Sequence, residues 1–319
     1  MKMRIAAVLT LALGALAVPG TASADHHHGD AVRYASVKGC DTKDGSVKPC
    51  GPWRLVMHSG AKRLLKDAEV IARTASGKSS GNNVAPIAVS GNGQRIAYFA
   101  KAGGLVVRTL GGGVRAQVGL PRVAQYDVTL QLSDDGSRLA AVISGEKPKA
   151  TRIFDTASGK LLGKMPTTES FIGFSADADE VLTGADGEES TYDLHVYGTD
   201  GKQVLANTPP QVVASNGPQA LAADGRTVAS MVMGGKPELV LYDLESDQAT
   251  GRFKVKLPAG DLYKIDWTGE SQVTLHLANM DGTPTKMTIV QIDSTSGAVR
   301  VRDSYTMLTD TFVFAACGG

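Results

Sequence analysis

Cysteine and aromatic residues are scarce in this sequence, neither sign of charge is in surplus, and no long apolar run follows its first twenty residues. Each shortage removes a class of protein. Three cysteines in 319 residues exclude a disulfide-dense scaffold. Without Lys2 and Arg4, which lie in a leader described below, 31 basic residues face 32 acidic ones. A balanced chain has no electrostatic reason to bind nucleic acid, and no Lys/Arg cluster marks a membrane-surface site. No H-E-x-x-H, paired C-x-x-C, G-x-G-x-x-G or G-x-x-x-x-G-K-[ST] string is present, so the motif routes to zinc peptidases and nucleotide enzymes are closed.

What is present begins with a leader. Lys2 and Arg4 precede the apolar run Ile5–Val18, Pro19 and Gly20 break it, and Ala22-Ser23-Ala24 offers an A-x-A cleavage site. This is the pattern of a secretory signal peptide over residues 1–24. The run is too short to span a bilayer as a stable helix. The expected mature product is a secreted, monomeric chain without a transmembrane segment.

Beyond the leader the sequence repeats. LSDDGSRLAAVIS (Leu132–Ser144) places a polar D-D-G turn between two apolar runs. VSGNGQRIAYFA, FSADADEVLTGA, LAADGRTVASMV and WTGESQVTLHLA share the pattern. Aligned on Ser90, Ser133, Ser175, Ala222 and Thr268, they step by 43, 42, 47 and 46 residues. A period in the forties built of strands is the signature of propeller blades. Each unit continues into a second hairpin, as in TRIFDTASGKLLGKM (Thr151–Met165). Six second hairpins occur, the first of them Trp53–Val70, against five first hairpins. The missing half must come from the ends, where Val32–Val37 and Thr311–Ala316 are the strand-like segments. The expected fold is all-β: a single β-propeller of six blades, seven if one is divergent, with the ring closed by strands from both termini. The expected organisation is a leader (1–24), an N-terminal segment with Cys40 and Cys50 (25–51) and the propeller (52–319).

The pattern φ-S-x-D-G-x-x-φ-A followed by φ-x-φ-D-x-x-S/T-G-K, with LSDDGSRLAAV and IFDTASGK as its most faithful copy, resembles the WD40-like propellers, including the TolB-type family and YVTN-type repeats. The resemblance covers nearly all of residues 52–317. The GH and WD dipeptides of true WD40 repeats do not recur, so it implies architecture and not a peptide-docking mode. It also implies a turn-acceptor role for Asp155, Asp243 and Asp293, and it supplies no catalytic residues.

The remaining candidates are few. Cys40 and Cys50 flank a D-G turn and are the favoured disulfide. A bridge from Cys317 to either of them is the alternative, and one cysteine is left over in any case. His58, His195 and His276 are isolated in sequence. Trp53 and Trp267 read as packing, the acidic string Ser175–Glu180 as a hairpin turn, and the glycine-rich Leu110–Gly119 as a blade turn. The string DHHHGD follows the cleavage site. Cleavage after Ala24 leaves Asp25, His26 and His27 at the start of the chain. The free amine, two backbone amides and the His27 imidazole form a square-planar nitrogen set that suits Cu(II) or Ni(II). The functional expectation is a non-catalytic binding or scaffold module for a protein or cell-envelope partner. The alternative is a hydrolase or lyase with its site in the central channel.

Overall fold

The turns explain why these residues form hairpins. Ser90 Oγ donates to Asn92 Oδ1 at 2.7 Å and accepts from the Arg95 amide at 3.0 Å. Ser133 repeats the arrangement with Asp135 and Arg138, and Ser175 with Asp177 and Glu180. One hydroxyl thus bridges both arms of the turn, a local side-chain bond that competes with helix. Glycine takes the left-handed position at Gly93 and Gly136, but in the Ser175 copy Ala178 occupies it at φ 66°. The second turn of each unit is held by its Asp. Asp155 Oδ1 accepts from the Ser158 amide, Asp243 Oδ1 from those of Glu245 and Ser246, and Asp293 Oδ1 from those of Thr295 and Ser296. These are the turn acceptors that the repeat pattern implied.

The structure, a computed structural model, describes residues 30–188, 191–280 and 284–317. Its strands form six four-stranded antiparallel blades among the described residues. Blade 1 combines β1 (Val32–Asp41), β2 (Val47–Met57) and β3 (Lys62–Leu65) with β26 (Thr311–Ala316) as its innermost strand. A separate hairpin, β4 (Ile71–Arg73) and β5 (Ser79–Val84), follows. Blade 2 holds β6 (Ile87–Val89), β7 (Arg95–Phe99), β8 (Leu105–Thr109) and β9 (Val114–Ala116). Blade 3 holds β10 (Val128–Leu132), β11 (Arg138–Ile143), β12 (Lys149–Asp155) and β13 (Leu161–Met165). Blade 4 holds β14 (Ser170–Phe174), β15 (Glu180–Asp186), β16 (Tyr192–Gly198) and β17 (Gln203–Asn207). Blade 5 holds β18 (Gln219–Leu221), β19 (Thr227–Val232), β20 (Glu238–Asp243) and β21 (Gln248–Lys254). Blade 6 holds β22 (Asp261–Thr268), β23 (Gln272–Asn279), β24 (Lys286–Asp293) and β25 (Val299–Thr306). This is the six-bladed propeller expected from the repeat.

Both termini close the ring, as expected. Tyr34 pairs with Ala316 and Ser36 with Phe314, so a C-terminal strand completes a blade otherwise built from the N-terminal end. Pairing covers an edge that would otherwise template aggregation. Residues 32–51 of the N-terminal segment supply β1 and the start of β2 and so belong to the propeller. The disulfide between Cys40 and Cys50 therefore sits across the turn joining these two strands. Cys317 is the free, buried cysteine.

The core lies in the seams between blades. Val32, Trp53 and Met57 of blade 1 pack against Val89, Ile96 and Tyr98 of blade 2. Ala97 and Leu105 of blade 2 meet Leu130, Leu139 and Phe154 of blade 3 in the same way. Full burial of a side chain such as Phe154 contributes about 1.5–3 kcal/mol. Inner strands run from the side where the chain crosses between blades, here the crossing rim, to the side of the first hairpin turns, the turn rim.

Candidate functional site

The inner strands surround a central channel. A cavity of about 240 Å³ within it is walled by β6, β10, β22 and β26, with Thr129, Gln131, Tyr263, Lys264 and Phe314 among its lining residues. The pattern of β10 alternates: Val128, Leu130 and Leu132 are buried, whereas Thr129 and Gln131 are not. Alternation along a strand turns these two away from the seam core and into the cavity. On β22 the alternation is broken. Leu262 pairs with Leu277 and Lys264 with His276, so Tyr263 is the extra residue of a β-bulge. Bulges re-aim side chains, and Tyr263, 41% exposed, lies with its ring 5.6 Å from that of Phe314 on the neighbouring blade. A second bulge falls between Val313 and Thr311 on β26, leaving Phe312 as its extra residue, also 41% exposed, with Cβ 3.6 Å from where a Gly39 Cβ would stand.

Charge gathers deeper, towards the turn rim. Lys264 Nζ lies 2.8 Å from Asp266 Oδ1, and His276 Nε2, fully buried, lies 3.9 Å from Asp266 Oδ2. Burial pushes the His276 imidazole down to about 4, against the pull of Asp266. Asp134, in the first turn of blade 3, is pushed up to about 6 by loss of water and by the nearby Asp266 charge, which Arg302 and Lys264 offset in part. Blades 3 and 6 therefore bring two carboxylates, a lysine and a histidine into one electrostatic neighbourhood. No motif marks this set, because its members become neighbours only through ring closure and strand register.

A second concavity occupies the crossing rim. The connection 66–86 is the one that carries the β4–β5 hairpin, which belongs to no blade. Its turn and the connection 117–127 wall two adjoining cavities of about 350 and 590 Å³, which share Thr74, Ala75, Arg122 and Val123. Arg122 Nε donates to the Ala75 carbonyl at 2.5 Å and Arg73 N–H to Gln125 Oε1 at 2.8 Å, fixing the hairpin to the wall. Phe99, Leu105 and Leu120 floor the groove, and Lys147, Lys149 and exposed Tyr126 border it.

His195 Nδ1 sits 3.0 Å from Glu169 Oε1, a nearly buried carboxylate that also accepts from Thr183 and Tyr197. His58 faces Asp303 at 3.7 Å, and burial lowers its imidazole. Trp53 and Trp267 are packed, 1% and 6% exposed, with Trp53 Nε1 donating to the Glu69 carbonyl. Ser175–Glu180 is the first turn of blade 4 and Leu110–Gly113 the second turn of blade 2. Gly77–Gly81 spells G-x-S-x-G around Ser79, but it spans an exposed hairpin turn with no helix after it, so it is not a nucleophile elbow. Asp25, His26 and His27 lie outside the described residues. Among the described residues, no group of three or more His, Cys, Asp or Glu is arranged to hold a metal ion.

Solved structures similar to this chain include TolB proteins and the β-propeller domain of a protease. A putative TolB from Agrobacterium tumefaciens is 13% identical at a TM-score of 0.47, over 86% of this chain and 90% of that one. TolB from Acinetobacter baumannii is 11% identical at 0.49, over 89% and 66%. The β-propeller domain of the Trilobed protease from Pyrococcus furiosus, described as having an open velcro topology, is 13% identical at 0.49, over 88% and 96%. No family model and no curated protein matches the sequence.

Proposed function

We propose that the chain is a secreted, non-catalytic propeller that binds a protein or a cell-envelope component through its crossing rim. The observation that carries this reading is the β4–β5 hairpin. Ring closure does not require it, yet it is fixed to the 117–127 connection and walls a groove with an apolar floor and a charged border in which Lys147 and Lys149 stand beside Asp127 and Glu146. Specific recognition surfaces combine such an apolar floor with a polar rim. Secretion is supported by the leader pattern and by the Cys40–Cys50 bridge, since disulfides persist in oxidising compartments. The test is capture from secreted and cell-wall fractions by the mature chain and by a variant in which residues 74–83 are replaced with a short glycine linker. A partner retained by the first and lost by the second supports the reading. Equal capture by both counts against it.

The second reading, a hydrolase or lyase in the channel, is favoured by one observation. Asp134 titrates near 6 with Lys264 in its electrostatic reach, and a carboxyl tuned towards neutrality suits general acid–base work. Turnover of an ester, lactone or glycoside that disappears in Asp134→Asn would select this reading over the first.

A further inference from the structure

We infer that the central channel is a binding site for a neutral saccharide, one ring stacking on the Tyr263–Phe314 pair while its hydroxyls bond to Thr129, Gln131 and the Lys264–Asp266 pair. The inference is independent of the groove on the crossing rim. The bulge at Tyr263 creates the platform. In a regular strand the seam between blades 6 and 1 would take up alternate side chains. The extra residue instead places a tyrosine ring, two-fifths exposed, against Phe314 and into the cavity. A large aromatic left exposed inside a channel is costly unless a ligand covers it. The sequence has few aromatics, and both tryptophans are consumed by packing. The platform is therefore a tyrosine and a phenylalanine, which composition could not reveal.

The polar groups set the class of ligand. The Gln131 amide, the Thr129 hydroxyl and the Tyr263 hydroxyl line the cavity and make no side-chain hydrogen bond among the described residues. They offer both donors and acceptors. Among the described residues Lys264 is the charged member of that wall, and Asp266 Oδ1, deeper, lies 2.8 Å from its Nζ. Such a pair can donate from one side and accept on the other while presenting no net charge. An anion would be repelled by Asp266 and a cation by Lys264. A hydroxyl-rich molecule with one apolar ring face meets both walls. The volume, about 240 Å³, is below the roughly 300–1,000 Å³ of pockets that take drug-sized ligands. It admits one sugar ring and leaves the rest of an oligosaccharide outside the cavity.

The test presents the mature chain with an array of neutral hexose and N-acetylhexosamine oligosaccharides beside uronic-acid and amino-sugar counterparts. Calorimetry with the best-retained neutral glycan follows. Saturable binding of a neutral glycan, weakened about ten-fold by Tyr263→Ala and kept by Tyr263→Trp, is expected. Gln131→Ala should weaken it as well, and both variants should melt with the wild type because these side chains are not core. Retention of no neutral glycan overturns the inference. So does stronger retention of a charged one, or binding that Tyr263→Ala leaves unchanged. Replacing residues 74–83 should not alter glycan binding, which keeps this outcome separate from that of the groove.

Discussion

Arg54 Nη1 donates to Asp310 Oδ1 at 2.7 Å, tying the third strand of blade 1 to the loop that leads into its innermost strand, although the two residues are 256 positions apart. The guanidinium is the more buried partner, 14% exposed against 39% for the carboxylate. Asp310→Ala strands that charge and is expected to cost about 2 kcal/mol, whereas Arg54→Met, which keeps the packed stem, is expected to cost about 1 kcal/mol. Urea unfolding of both variants measures the difference. Arg54 holds the Asp310 carboxyl below its usual range. The contribution is therefore complete above the ordinary carboxylate value and is lost as pH falls through the lowered one.

Removing the closing strand is the harsher version of the same experiment. Deletion of Thr311–Gly319 unpairs β1 along Tyr34–Lys38 and strips Val313 and Ala315 from the seam with blade 2. The truncated chain is expected to melt at least about 10 °C lower and to aggregate on heating. A melting temperature equal to that of the intact chain would show that blade 1 is closed by something else.

His276 and Asp134 should oppose each other in mild acid. His276 is neutral in the folded state down to about 4, while an unfolded imidazole takes up its proton near 6.5. Stability from this source is complete above pH 6.5 and is lost as pH falls towards 4. Asp134 has the reverse sign: its folded value near 6 stands above the unfolded one, so folding gains as pH falls through the same window. Each effect reaches at most about 3 kcal/mol. Asp134→Asn should therefore uncover a steeper loss of stability between pH 6.5 and 4 than the wild type shows. Chemical denaturation at three pH values reads it.

The disulfide should matter thermodynamically and Cys317 should not react. Cys40 and Cys50 are ten residues apart, and opening that loop in the unfolded chain is expected to cost about 2.5–3 kcal/mol in Cys40→Ser/Cys50→Ser. Burial pushes the Cys317 thiol up to about 11. A thiol reagent at pH 8 should label the native protein at none of its cysteines, and the denatured protein at one.

The amino terminus yields a metal prediction that depends on cleavage after Ala24. The mature chain is expected to bind about one Cu(II) in a square-planar nitrogen set made by the Asp25 amine, two amides and His27. The d–d absorption band reports it. Acetylation of the amine or His27→Ala should abolish the band, and a band that survives either change disproves the site.

The blades were legible because their turns carry chemistry that composition cannot imitate. Ser133 with Asp135, and Asp293 with two amides ahead of it, recur at the blade period and bond as their types require. The β4–β5 hairpin escaped notice for the opposite reason. Ser79–Val84 is nearly all polar or glycine and shows no alternation of burial, so nothing in it marks a strand. The aromatic pair in the channel escaped for a third. Tyr263 is one tyrosine among eight, and only the pairing of Leu262 and Lys264 with their partners shows that it is the residue pushed out of register. Asp134 and Asp266 meet through the ring, a separation at which sequence carries no pairing rule.

The pairing of Tyr34 with Ala316 also sets an order of events during synthesis. Strands β1 to β3 emerge first, but the inner edge of β1 waits for nearly the whole chain. Blade 1 is thus both the first sheet to be made and the last to be finished. A ribosome that stops early releases a ring with one open edge, which is the form a quality-control protease or an aggregating neighbour would meet.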